Sequence, residues 1–274
     1  KRQISLNGVA VAANVEAFRW GRTQIARPEL LARYRDGVAR ADTHEGELDH
    51  EIKRRIAMLG LSQATEASLL RYAAELVAWG DRTDAVAWIH ELEQVRQAER
   101  DLGTESTALT VAVAGGLFKL MAYKDEYEVA RLMTDPDGLA DAVEVAGADG
   151  KITWRLHPPM LRALGLDSTI RIGQWARPGV RALAAGKRLR GTMLDPFRWA
   201  EVRRVERQLP GEYLDAIARV LRSLTAENLE AAVTIAELPD LVRGYEHVKL
   251  ANVEAYRSEL ARRTNGWGQT PTVR

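Results

Sequence analysis

The sequence contains no cysteine. A chain without thiols forms no disulfide, no thiolate zinc site and no iron–sulfur cluster ligated by its own residues. Its five histidines are His44, His50, His90, His157 and His247. They are scattered, and no two of them lie at the close spacing of a metal-ligand pair. We therefore expect no metal site in this chain.

A long apolar run and a charge excess are also missing. No stretch of about 18 apolar residues occurs, so no segment is predicted to span a bilayer. Lysine and arginine total 39 against 38 aspartates and glutamates. Such a balance lacks the concentrated basic field that nucleic acids and anionic membranes attract. We expect no nucleic acid and no membrane as the main partner.

The length of 274 residues is enough to bury a sizeable core and to hold one large or two modest domains. The chain begins at Lys1 rather than at a methionine, and the apolar stretch Val9–Ala13 is too short for a secretory signal. We expect a cytoplasmic protein and a piece of a longer polypeptide.

The spacing of apolar residues predicts helices over most of the chain. Residues 47–99 show it throughout, with a break at Gly80-Asp81, and Thr107 can begin the helix that leads into Phe118–Leu132. The convincing β signal is Val143–Val145 and Lys151–Leu156 around a Gly-containing turn. The expected fold is mainly α, a multi-helix domain with a small β-hairpin near residues 142–156. Further helices are predicted at 27–41, 159–164, 175–187, 196–209, 211–224, 227–237 and 245–263.

The segment Phe118–Leu132 organises the predicted fold. On a single helix, Leu120, Tyr123, Tyr127 and Ala130 form one apolar and aromatic stripe. Three charged residues border this stripe, and the middle one is spaced to reach the other two. They form either the salt-bridged shoulder of a core helix or a charged site that faces a ligand or a partner domain. These residues are Lys124, Glu128 and Arg131.

Two more segments carry clustered charge. In Arg188–Arg204, Asp195 is predicted to cap a helix that starts at Pro196, with Arg190 among the surrounding arginines. In Leu238–Val253, Gly244 offers a hinge before a helix start. The charged residues there are Arg243, His247 and Lys249. We expect the charged residues of all three segments to form a structural or interdomain network.

Together these segments resemble a known family. AYKDEYEVARL, LRGTMLDPF followed by AEVRR, and LPDLVRGYEHVK are similar to the C-terminal region of the fused indolepyruvate:ferredoxin oxidoreductases of bacteria. LNGVAVAANVEAFRWGR, at residues 6–22, resembles the place where that family's preceding domain enters the region. The resemblance covers nearly the whole chain and keeps the order of the motifs.

The resemblance implies an enzyme that depends on thiamine diphosphate and oxidatively decarboxylates a 2-oxoacid with coenzyme A. Electrons pass through iron–sulfur clusters to ferredoxin, and Mg²⁺ holds the diphosphate. In this chain, Ala148-Asp149-Gly150 is the nearest match to the family's Gly-Asp-Gly, and it fits a hairpin turn better. We therefore expect no catalytic residue and no cofactor-binding residue here, and expect the cofactors in the rest of the enzyme.

The domain organisation follows from the same resemblance. Residues 1–22 are expected to be the end of a preceding catalytic-enzyme domain, or the junction with it. Residues 23–265 would form the helical C-terminal domain, with a helical-hairpin half at 23–134 and the β-hairpin plus helices at 135–265, before a loose tail at 266–274. The domain would pack on or bridge the catalytic domains. The alternative is a free-standing helical scaffold or adaptor without enzymatic activity.

Overall fold

The computed structural model describes residues 48–136, 153–156 and 170–265, together with single positions at 18, 21, 22, 25, 139 and 267. The chain divides into two compact units, residues 1–46 and residues 47–274. The fold below is that of the second unit. The predictions for residues 1–46, for a helix at 159–164 and for the turn at 148–150 lie outside the described residues, apart from the four single positions before residue 47.

The described part is mainly α-helical, as the sequence predicts. Within it, nine α-helices and two short strands occur in the order α1 His50–Met58, α2 Gln63–Trp79, α3 Arg82–Asp101, α4 Ala108–Met121, α5 Glu126–Thr134, β1 Trp154–Leu156, β2 Ile170–Ile172, α6 Arg177–Ala185, α7 Glu201–Arg222, α8 Leu229–Ala236 and α9 Glu246–Thr264. Short 3₁₀ turns at Gln174–Ala176, Gly186–Leu189 and Leu238–Leu241 join them. None of the described helices combines the length and apolar character needed to cross a bilayer.

The helix starts follow local chemistry. Asp49 caps α1 by accepting a hydrogen bond from the Ile52 amide, and Ser62 caps α2 in the same way. Asp81 and Asp84 form a reciprocal capping box at the start of α3. The break at Gly80-Asp81 is therefore confirmed, because Gly80 is the C-cap of α2 and Asp81 is the N-cap of α3.

The core is one cluster shared by α1–α4 and α7–α9. Trp88 is fully buried, and its indole donates a hydrogen bond to the Ala114 carbonyl at 3.1 Å. Tyr72 stacks on Phe118 with ring centroids 4.4 Å apart. Where α4 crosses α8, a methyl group at Gly116 would lie 2.8 Å from the Ala236 carbonyl oxygen, so this crossing requires a glycine.

Three predicted helices differ in the structure. The single helix through Phe118–Leu132 is broken at residues 122–125, because Asp125 caps a new helix. The two helices predicted on either side of Pro210 are one continuous α7, whose buried face carries Leu209 and Tyr213 across the proline. Tertiary packing of this face outweighs the usual helix-breaking effect of proline.

The start predicted for the first of these two helices, at Pro196, is also wrong, because residues 191–200 form turns and α7 begins at Glu201. The β1 strand lies inside the predicted hairpin, but among the described residues it pairs antiparallel with β2 at 170–172. The predicted partner strand at 143–145 lies outside the described residues.

Candidate functional site: a buried ionic network beneath an exposed loop

Four consecutive residues at the start of α5 direct their side chains to four different partners. They are Asp125, Glu126, Tyr127 and Glu128. Asp125 is the N-cap, is 2% exposed, and accepts a hydrogen bond from the Glu128 amide at 2.8 Å. Three of these side chains bind residues of other segments directly, and Glu128 is linked to α2 through Arg131, so the first turn of α5 is the centre of a network.

Asp125 binds Arg190, which follows the 3₁₀ turn after α6. The guanidinium makes two hydrogen bonds to the carboxylate, at 2.5 and 3.0 Å. It also donates to the Trp79 carbonyl at 2.8 Å and stacks 3.7 Å above the Trp79 ring. Both groups of the ion pair are nearly buried, so each depends on the other for compensation of its charge.

Lys187 caps the same end of α2 from the preceding turn. Its ammonium donates to the carbonyls of Ala78 at 2.6 Å and Val77 at 3.3 Å. Burial lowers the pKa of Lys187, and the nearby Arg131 and Arg190 lower it further. Two cations therefore satisfy the last carbonyls of α2 and interact favourably with its dipole.

Tyr127 binds Asp195, which lies in the turns before α7. The phenol donates to the Asp195 carboxylate at 3.0 Å, and burial followed by this hydrogen bond raises the pKa of Tyr127. The same carboxylate accepts the amides of Gly191 at 2.8 Å and Phe197 at 3.0 Å. Gly191 has a φ of +74°, a conformation that glycine adopts without strain. Asp195 therefore folds residues 191–197 around one buried acceptor rather than capping a helix.

Glu126 starts the third branch. Arg203 on α7 donates to Glu126 at 3.1 and 3.2 Å and also pairs with Glu206. Glu206 in turn binds Lys249 on α9. Burial opposes ionisation of Arg203, but the charges of Glu206 and Glu126 outweigh it and raise its pKa. This branch joins α5, α7 and α9.

Glu128 forms the fourth branch. Its carboxylate accepts two hydrogen bonds from Arg131, at 2.8 and 2.9 Å, and Arg131 also binds Glu75 on α2 at 2.7 Å. Lys124 does not take part: it is exposed and forms no ion pair among the described residues. The predicted Lys124–Glu128 contact assumes one continuous helix, and Lys124 lies in the break between α4 and α5.

The structure thus brings five of the eight predicted residues into the network and leaves three on the surface. Arg243 is exposed and bonds the Asp240 carbonyl at 2.5 Å, and His247 is exposed in the first turn of α9. The five that join are Glu128, Arg131, Arg190, Asp195 and Lys249.

Sequence reasoning missed Asp125 and Glu126. The available signal was the spacing of Asp125 and Glu128, in which a short acidic residue precedes a second acid by three positions, as at many helix starts. The Trp79 ring beneath Arg190 has no local signal, because the two residues meet only in the folded chain.

Above the network lies an exposed segment that we call the anchored loop, residues 189–199. Arg190 and Asp195 hold it from below, while Met193, Leu194 and Trp199 are 89%, 76% and 75% exposed. Arg198 stacks on the Trp199 ring at 4.7 Å. The loop therefore has buried charged anchors and an apolar outer surface, the reverse of an ordinary surface loop.

Comparison with known proteins gives a family without a described activity. The model of a family described as "Family of unknown function (DUF6537)" matches residues 65–262. The chain belongs to the DUF6537 family. The network and the anchored loop lie entirely within the matched residues. No curated protein and no solved structure matched the chain.

The network of this DUF6537 chain is suited to hold segments together. Each of its carboxylates accepts hydrogen bonds from a cation, an amide or a phenol of the same network. In the described part of the chain, no cluster of three or more metal-ligating side chains occurs. These contacts position the anchored loop.

Proposed function

We propose that the chain is the non-catalytic C-terminal domain of a thiamine-diphosphate-dependent 2-oxoacid:ferredoxin oxidoreductase of the indolepyruvate type. The domain packs on or bridges the catalytic domains that precede it in the same cytoplasmic polypeptide. Thiamine diphosphate, Mg²⁺ and the iron–sulfur clusters belong to those preceding domains. Coenzyme A and ferredoxin are partners of the whole enzyme.

One structural observation supports the proposal. The three motifs that resemble the oxidoreductase family are far apart in sequence, yet their side chains bind one another. Asp125 of the first motif binds Arg190 of the second, and Glu206, just after the second motif, binds Lys249 of the third. A resemblance spread over three separate motifs is better founded when those motifs form one structural unit.

The test uses the complete reading frame that contains this chain. We expect its purified product to oxidise indolepyruvate in the presence of coenzyme A and to reduce a viologen dye. The separate 274-residue chain is expected to be colourless and inactive in the same assay. A complete product that is inactive on 2-oxoacids, or a separate chain that is active, would refute the proposal.

The alternative, a free-standing helical adaptor, is favoured by one feature. An exposed apolar loop on a rigid support also suits a protein that binds separate partners. The two functions differ in gene structure, since an adaptor requires a start codon close to Lys1 and no oxidoreductase domain before it.

A further inference from the structure

The outer surface of the anchored loop has a composition that its own contacts do not explain. Met193, Leu194 and Trp199 are largely solvent-exposed although the backbone beneath them is fixed by Asp195. Isolated exposed apolar residues are common, but three such residues on one short loop together give it an apolar patch. Holding them in place costs conformational entropy on folding, so less entropy is left to lose when the surface binds a partner.

Unpaired cations border this patch. Arg207 donates to the Arg198 carbonyl at 2.8 Å, and Arg204 lies one turn before it on α7. Among the described residues, none of these three arginines forms an ion pair with a carboxylate, whereas Arg190 and Arg203 in the network beneath the loop do. The exposed acid on the same turn is Glu201. The patch therefore combines an apolar centre with a net positive rim.

We propose that the anchored loop, with Arg198, Arg204 and Arg207, is a docking surface for an acidic protein surface with an apolar centre. The occupant is the preceding part of the same polypeptide, so the inference rests on the function proposed above and names the surface by which this domain packs. Apolar centres with complementary charged rims are typical of stable protein interfaces.

The positive rim of this surface disfavours other occupants. In a symmetric dimer of this chain the two positive rims would face each other, and like charges across an interface are unfavourable. A nucleic acid would be attracted by the arginines but gains little from Met193 and Leu194, and the chain as a whole carries a net charge of only +1.

Hydroxyl-radical footprinting tests the proposal directly, because methionine and tryptophan react readily when exposed. The experiment compares the complete reading-frame product with the separate 274-residue chain. We expect the oxidation rates of Met193 and Trp199 to fall at least about fivefold in the complete product, as for side chains in an interface core. Met58 is the control within the same chain, since it is 69% exposed on α1 and lies outside the surface.

Charge variants identify the rim. In the complete product, the double variant Arg198→Glu/Arg204→Glu is expected to restore at least half of the lost reactivity of Met193 and Trp199. The matched control is Arg54→Glu/Arg219→Glu, which makes the same charge change at two exposed arginines elsewhere and leaves the protection intact.

The outcomes separate the two proposals. If the complete product oxidises indolepyruvate but Met193 and Trp199 react as in the separate chain, the docking surface is wrong and the proposed function stands. If it is inactive on 2-oxoacids, the proposed function fails and the docking proposal fails with it. Protection of these residues in the separate chain, by self-association or by an added single-stranded oligonucleotide, would also overturn the docking proposal.

Discussion

Replacing Asp125 with alanine removes two interactions from one buried position. The N-cap hydrogen bond to the Glu128 amide is lost, and Arg190 loses its carboxylate partner. Loss of a cap costs about 0.5–2 kcal/mol, and an orphaned buried charge costs about 3–5 kcal/mol. Arg190 keeps its contacts with Trp79, which reduce the penalty. We therefore expect Asp125→Ala to lower the free energy of unfolding by about 3–5 kcal/mol in total.

Asp49 provides a matched control. It is also an N-cap aspartate bound to an arginine, Arg82, but that pair is open to solvent. The side chains of Asp49 and Arg82 are 39% and 51% exposed. Those of Asp125 and Arg190 are only 3% and 9% exposed. Exposed pairs contribute little because solvent already compensates both charges. Asp49→Ala is therefore expected to be much less destabilising than Asp125→Ala.

Urea denaturation followed by circular dichroism measures both variants. A double-mutant cycle of Asp125→Ala, Arg190→Met and the double variant Asp125→Ala/Arg190→Met isolates the pair, since removing both charges is less costly than orphaning one. We expect a coupling energy of about 2 kcal/mol in this cycle. If Asp125→Ala costs no more than Asp49→Ala, the buried Asp125–Arg190 pair does not stabilise this protein more than an exposed pair does.

Three further predictions use the same denaturation assay. Glu128→Ala is expected to lower the free energy of unfolding by at least about 2 kcal/mol, because it leaves the partly buried Arg131 with less charge compensation. Lys124→Ala is expected to have no effect, and equal denaturation midpoints for the two variants would contradict this. Gly116→Ala is expected to lower the free energy of unfolding by about 1–3 kcal/mol through overpacking. In Gly115→Ala the added methyl group meets nothing within 4 Å, so this variant is expected to gain up to about 1 kcal/mol of stability. A Gly116→Ala variant as stable as the wild type would refute the close helix crossing. Burial, with the Asp125 charge, raises the pKa of Tyr123 from an ordinary value of 10.0 to about 12. The tyrosine of the unfolded state therefore loses its proton first, so the free energy of unfolding is expected to fall as the pH rises from about 10 to 12. An unfolding free energy that stays constant over that range would contradict this. Burial raises the pKa in the same direction at Tyr127, Tyr213 and Tyr256.

Local sequence patterns were enough to predict most of the fold. The break at Gly80-Asp81 was predictable because a capping residue follows a glycine. The predicted stripe of Leu120, Tyr123, Tyr127 and Ala130 is buried in the structure. The break between α4 and α5 was missed because the spacing of this stripe fits an unbroken helix, and the Trp79 indole that binds the Tyr123 carbonyl at 2.9 Å comes from a distant segment.

The candidate site was predictable only in part. The sequence placed Glu128 and Arg131 together because they are neighbours on one helix. It assigned Asp195 to a helix start because the Asp-Pro pair is a common local signal. The Tyr127 hydroxyl that competes for this carboxylate lies far away along the chain, and only the folded structure brings the two together.

The first turn of α5 anchors the loop at 189–199 through the hydrogen bond from Tyr127 to Asp195. Amide hydrogen exchange of Gly191 and Phe197 measures this most directly, because both amides donate to the Asp195 carboxylate. We expect both amides to be protected in the wild-type chain and to exchange faster in Tyr127→Phe, which removes the phenol hydroxyl from the same carboxylate. Exchange of both amides at the rate of an unstructured peptide in the wild-type chain would contradict it.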